Sequence, residues 1–196
     1  AEEILMKLIA YTLLDIEEYM QKNNTNRILS LFGRVHKSQR ILLDTLDLLN
    51  TMSPKEYQAI RLNLGNGSGR DSPGFKTILR MAPILWKTFE IHYLVNNNLT
   101  LDAVYDSEYS HSDAYIVAEA LLEFDALWER FFQQHVEIVN RSIGLTAKSL
   151  KGNPTEILNK RLDMKLFPEL WKIRGTMSDT WAQQYGNVRK SLSEVS

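Results

Sequence analysis

Residues 113–144 read DAYIVAEALLEFDALWERFFQQHVEIVNRSIG, and their rhythm decides the fold class. Leu121, Phe124, Trp128, Phe131, His135, Ile138 and Ser142 recur at steps of three or four, which lays them along one stripe of an α-helix. Asp113 suits the start of such a helix, and Gly144 suits its end because glycine accepts the backbone turn that follows a last helical residue. At about 1.5 Å per residue the helix is roughly 45 Å long, enough to run the length of a domain.

Working outward, a second long amphipathic helix begins near Thr25. Ile28, Phe32, Val35, Leu42, Leu46 and Leu49 keep the same spacing, with Gln39 in the one missing beat. Thr25 is the expected N-cap, and Asn50 with Ser53-Pro54 the expected stop. Pro54 suits the first turn of a short helix over residues 55–62. That helix runs into the loop Gly65 to Gly74, which holds four of the chain's nine glycines and so has unusual backbone freedom. Residues from Phe75 to about Val95 are helical again, and Pro83 predicts a kink or a break within them. Asn96 to Asn98 form a loop. After Gly144 come a polar loop over Lys148 to Pro154, a helical segment from Glu156 to Arg161, and a last helix from Phe167 or Pro168 to about Arg189. No segment alternates with period two, so the expected architecture is an all-α helical bundle without internal repeats.

Composition narrows the function. Apolar residues at 44% and charged residues at 24% describe a folded globular chain of 196 residues, one domain's worth. The 23 basic residues are balanced by 24 acidic ones, which gives no electrostatic case for nucleic acid or an anionic membrane as partner. The longest apolar run, Leu8 to Leu14, is interrupted by Thr12 and halted at Asp15, short of the roughly 18 residues of a membrane span. The opening Ala1-Glu2-Glu3 lacks the basic start of a signal peptide. With no cysteine there is no disulfide, thiolate metal site or thiol nucleophile, and a reducing cytoplasm is permitted. These features lead to the expectation of a soluble, cytoplasmic protein.

Two positions draw attention as chemistry. His135 lies on the aromatic stripe of the long helix, where an imidazole is either a hydrogen-bonded core residue or an axial ligand to haem iron. His36, in the basic stretch Arg34 to Lys37, reads as a solvated or rim residue; His92 lacks an aromatic setting, and His111 belongs to a loop and helix start. Arg61 closes a short helix before the glycine-rich loop. It is either half of a surface ion pair or a bidentate clamp on a carboxylate, with Tyr57 one turn before it and Leu64 about one turn after. The loop has no Lys-Ser/Thr ending and no preceding strand, which rejects a nucleotide-binding P-loop. It is either a flexible connector or a place where backbone and Ser68 approach a flat ligand. No serine-histidine-aspartate order, paired-carboxylate site or His-x-x-x-His helix emerges.

Together these segments resemble the tryptophan 2,3-dioxygenase family, within the haem-dependent aromatic-amino-acid oxygenases. Glu3-Ile4-Leu5-Met6-Lys7 is similar to the family's Glu-Leu-Trp-Phe-Lys, and Leu48 to Pro54 to its Leu-Glu-Thr-Met-Thr-Pro turn. Ile60-Arg61-Leu62-Asn63-Leu64, followed by Ser68-Gly69 and Ser72, is similar to Phe-Arg-Asp-Tyr-Leu followed by Ser-Gly-Phe-Gln-Ser. The most specific stretch runs from Trp128-Glu129-Arg130 through His135-Val136-Glu137-Ile138-Val139-Asn140-Arg141-Ser142-Ile143-Gly144. It parallels a Trp-Arg, His-Val-x-Met-Val and Arg-x-Ile/Leu-Gly pattern.

The resemblance implies a single haem-binding helical domain over residues 1–196, with the equivalents of the family's distal histidine and pocket phenylalanine falling before Ala1. It implies His135 as the proximal ligand to the iron of haem b, with Trp128, Ser68 and Gly69 as further cofactor contacts. Arg61, Tyr57, Leu64 and Ser149 would hold an aromatic amino acid, and dioxygen would be the second substrate. The implied reaction inserts both oxygen atoms into the indole C2–C3 bond of L-tryptophan, giving N-formylkynurenine, the opening step of tryptophan catabolism by the kynurenine pathway. Homotetramers are implied too, and aromatics such as Tyr109 and Trp181 would suit an interface. Around Ser149 the family's Gly-Thr-Gly-Gly-Ser-Ser-Gly is replaced by Lys148-Ser149-Leu150-Lys151-Gly152-Asn153-Pro154, and Arg70 stands in place of a phenylalanine. Two other readings follow: a haem mono-oxygenase of tryptophan, a tryptophan derivative or tyrosine, and a helical binding module without catalysis.

Overall fold

A computed structural model describes residues 2–63, 72–106, 110–144 and 164–182. Among them every regular element is helical: α1 (Glu2–Gln21), α2 (Thr25–Leu49), α3 (Pro54–Asn63), α4 (Pro73–Phe89), α5 (Leu101–Tyr105), α6 (Asp113–Ile143) and α7 (Pro168–Ala182). A wide π-turn over Glu90–Leu94 and a 3₁₀ turn over Val95–Asn97 follow α4. The all-helical expectation holds.

Polar residues start the helices by bonding backbone N–H groups that have no partner within the first turn. Asn24 accepts from Arg27 N, so it and not Thr25 caps α2; Thr25 is already the first helical residue. Ser53 and Glu56 form a reciprocal box at α3, Ser53 N donating to Glu56 Oε2 at 2.8 Å and Glu56 N to Ser53 Oγ at 3.3 Å. Ser72 takes Phe75 N at 3.0 Å ahead of Pro73, and Ser112 takes Tyr115 N at 3.3 Å at the start of α6. Gly144, at φ +89°, ends α6 and returns its N–H to Asn140 O at 3.0 Å. Pro83 does not break α4, which continues unbroken from Pro73 to Phe89. The irregularity lies seven residues later, at the π-turn, where Val95 N reaches both Glu90 O and Ile91 O.

Helices α1, α2, α6 and α4 enclose one core in that order around the bundle. A three-residue turn with Asn23 at φ +50° makes α1 and α2 antiparallel. Helix α2 runs parallel to α6: Thr25 Oγ1 donates to Asp113 Oδ2 at 2.8 Å, Gln39 Nε2 to Phe124 O at 2.9 Å, and Gln134 Nε2 to Leu43 O at 3.2 Å. With its proton committed to Asp113, Thr25 Oγ1 accepts from Tyr93 OH at 3.3 Å.

Helix α1 runs parallel to α4. Glu3 accepts from Ser72 Oγ and from Gly74 N (3.1 Å) at one end, and Glu17 accepts from Thr88 Oγ1 (3.1 Å) at the other. Gly74 makes that closeness possible, because a Cβ there would stand 2.8 Å from Met6 Cβ and 2.9 Å from the Lys7 nitrogen. This glycine of the Gly65–Gly74 loop therefore serves helix packing. Helix α4 is antiparallel to α6, with Phe75 against Trp128 and Phe132 at its beginning and Tyr93 near the Thr25–Asp113 pair beyond its end.

Candidate functional site

The second half of α6 carries a wall of rings. Trp128 is 2% exposed, with Phe75 at 6.0 Å, Phe124 at 6.2 Å, Phe131 at 5.1 Å and Phe132 at 6.0 Å between ring centroids. Its indole N–H has no hydrogen-bond partner among the described residues, a costly state for a buried donor. One turn on, Phe131 faces His135, their planes 14° apart and their centroids 6.3 Å apart. His135 is half-buried, at the edge of the core rather than inside it. Trp128 lies two turns from the imidazole, and the ring beside His135 is that of Phe131.

Helix α3 packs against α6. Tyr57 is half-buried and packs on the core, and Arg61 follows it one turn later on the same face of α3. Leu64, Ser68, Gly69 and Ser149 lie outside the described residues, as do Tyr109 and the side chains of Arg61 and Trp181; so do the segments Lys148 to Pro154 and Glu156 to Arg161, and the last helix beyond Ala182.

Of the two expectations for His36, solvated or rim, the structure gives the rim. His36 is half-buried, stacked on Phe32 at 5.4 Å, with Nε2 3.0 Å from Ala120 O on α6. A carbonyl only accepts, so Nε2 carries the proton. Burial pushes the His36 pKa down, against the opposing influence of the Ala120 bond and Glu123. His36 thus links α2 to α6.

Behind the ring wall lies a feature the stripe does not advertise. Asp125, 1% exposed, accepts from Leu166 N at 3.0 Å, Phe167 N at 2.9 Å and Trp171 Nε1 at 2.9 Å, docking the start of α7 onto α6. A second clasp joins Tyr105, Glu119 and Arg174: Tyr105 OH donates to Glu119 Oε1 at 2.6 Å, and Arg174 bonds both. Burial, with the Glu119 bond, drives the Tyr105 pKa upward. The sequence signal for Asp125 is its register, four residues after Leu121 and three before Trp128, inside the apolar face.

Among the described residues no three His, Asp or Glu side chains cluster closely enough to cage an ion. A metal at His135 would take its other ligands from a macrocycle, and an imidazole on a rigid helix beside apolar rings suits an axial haem ligand. The residues fit. A polar concavity of about 380 Å³, lined by Lys22, Asn24 and Asp113 among others, lies at the opposite end of α6 and includes none of the site residues.

No family model matches the chain. Curated proteins named tryptophan 2,3-dioxygenase do. That of Myxococcus xanthus is 24% identical over 88% of this chain and 76% of its own length. That of Ralstonia pickettii is 24% identical over 88% and 80%, and that of Bacillus cereus 26% identical over 89% and 80%. The alignment with the Myxococcus protein extends over 221 positions for a chain of 196, so the relative has stretches this chain lacks. The resemblance carried by the motifs therefore extends across most of the sequence. No described helix is long and apolar enough to cross a membrane.

Proposed function

We propose that this chain, a relative of the tryptophan 2,3-dioxygenases, is a haem-dependent dioxygenase that opens the indole C2–C3 bond of L-tryptophan to N-formylkynurenine. The observation that carries the proposal is the half-buried His135 imidazole on α6, beside the locked Phe131 ring and within the stretch that most closely follows the family pattern. Bound haem would supply the iron that activates dioxygen. The protein's share is alignment. His135 would hold the metal through a ring nitrogen, and the aromatic rings beside it would keep water away.

Arg61, on the α6-facing helix α3, would pair its guanidinium fork with the substrate carboxylate, a geometry that lysine's point charge lacks. Tyr57 and Leu64 would flank the indole, Ser149 would accept from the substrate ammonium, and Ser68 and Gly69 would bond a carboxylate of the cofactor. A cysteine-free chain is compatible with the cytoplasm, where we place it. We also propose a homo-oligomer, a tetramer by the resemblance, on the support of the apolar outer face of α1, where Ile4 is 73% and Tyr11 69% exposed.

A second reading, transfer of a single oxygen atom to tryptophan, a derivative or tyrosine, is favoured by one observation. Lys148, Leu150, Lys151 and Pro154 replace the glycines of the family's segment, and Gly152 and Asn153 replace two of its hydroxyls. Mass spectrometry of the product from tryptophan, formed by the haem-loaded and reduced protein, separates the readings. Gain of two oxygen atoms supports the dioxygenase, gain of one supports the alternative, and unchanged tryptophan contradicts the proposed substrate.

A further inference from the structure

We propose that Phe131 is the positioning residue for the His135 imidazole, a role that rests on the ligand reading above. Four residues apart on α6, the two side chains lie one turn from each other on one face, and their rings are 14° from parallel. Phe131 is itself immobilised: it is buried, and it stands edge-on to Trp128 at 87° and to Phe132 at 72°. Trp128 is in turn packed edge-to-face with Phe75 of α4 and with Phe124. The plane of Phe131 is thus set by packing that spans two helices, and the half-buried imidazole lies against it. Offset stacking against this fixed plane restrains the imidazole. Groups that orient a ligating histidine tune the metal that it binds, because the ring's plane and tilt decide how its orbitals meet the metal's. Usually that group is a hydrogen-bond partner on the second ring nitrogen; here a stacked ring adds a separate restraint.

Phe131→Leu removes the flat face while keeping an apolar side chain, Phe131→Met does so with a more adaptable one, and Phe131→Tyr keeps the ring. In the haem-free full chain carrying ¹³C-histidine, relaxation of the His135 Cε1 signal, assigned by its loss in His135→Gln, reports ring order. The order parameter should fall in the leucine and methionine variants and stay at the wild-type value with tyrosine. After loading with hemin, the two ring-less variants should release it about tenfold faster or more. Their low-spin ferric electron paramagnetic resonance spectrum should shift, and tyrosine should restore both properties. Wild-type ring order or an unshifted spectrum in both ring-less variants overturns the assignment. A wild-type chain that binds hemin without histidine ligation is a different result: it removes the ligand reading itself, and the role of Phe131 falls with it.

Discussion

The indole N–H of Trp171 on α7 donates to Asp125 on α6 at 2.9 Å, and the same carboxylate oxygen accepts the backbone N–H of Phe167 at 2.9 Å. One buried acid therefore holds the end of a helix that no other buried carboxylate of the described core touches. Asp125→Ala strands these donors away from water and should cost about 3 kcal/mol of stability. Urea denaturation followed by tryptophan fluorescence measures this; a midpoint equal to wild type would show that the clasp contributes nothing net.

His36 gives the fold a pH dependence with a definite sign. Its pKa is depressed in the folded chain by burial, so the unfolded chain takes up a proton first as pH falls. Its contribution to stability is complete above about 6.5, the ordinary histidine value, and declines as pH drops from there through the folded-state pKa. Thermal melts at pH 7 and pH 5 should differ less in His36→Gln than in wild type. An equal difference in both proteins would assign the effect to other groups.

Arg61→Lys should weaken tryptophan binding by about tenfold or more, since a paired fork is exchanged for one ammonium, and should leave haem content unchanged. Titration of the haem-loaded protein with tryptophan, read by visible difference spectra, decides it. Equal affinity in the variant would take Arg61 out of the substrate site.

The outward face of α1 carries Ile4, Leu8, Tyr11 and Leu14 in the first fourteen residues, so this part of the helix is apolar on both its sides. If that face joins copies of the chain, Ile4→Lys with Tyr11→Lys should reduce the mass seen by light scattering to that of one chain, with the helical content kept. A wild-type protein that is already monomeric contradicts the assembly.

Residues whose fate is set by a long periodic stripe are legible in the sequence: α2 and α6 follow from the spacing of Ile28 to Leu49 and of Leu121 to Ser142. Local chemistry is less so. Asn24 outcompetes Thr25 as a cap because the turn places its side chain against Arg27 N, a matter of one residue's dihedral angles. Pro83 sits inside α4 because the packing of a whole helix against α1 outweighs one lost hydrogen bond, and the π-turn after Phe89 has no composition signal of its own. The contact of His36 with Phe32 follows from their spacing on one helix face, about which the charges nearby in sequence say little. At the site, the imidazole's aromatic setting is readable from α6 alone. That the Phe131 ring stacks on it depends on the turn-by-turn geometry of one helix.

Whether His135 binds the iron of haem is read from the visible spectrum of the protein purified with hemin supplied. The wild-type chain should show a Soret band with one haem per chain, and His135→Ala should lose it. A His135→Ala protein that retains stoichiometric, histidine-ligated haem would contradict the account.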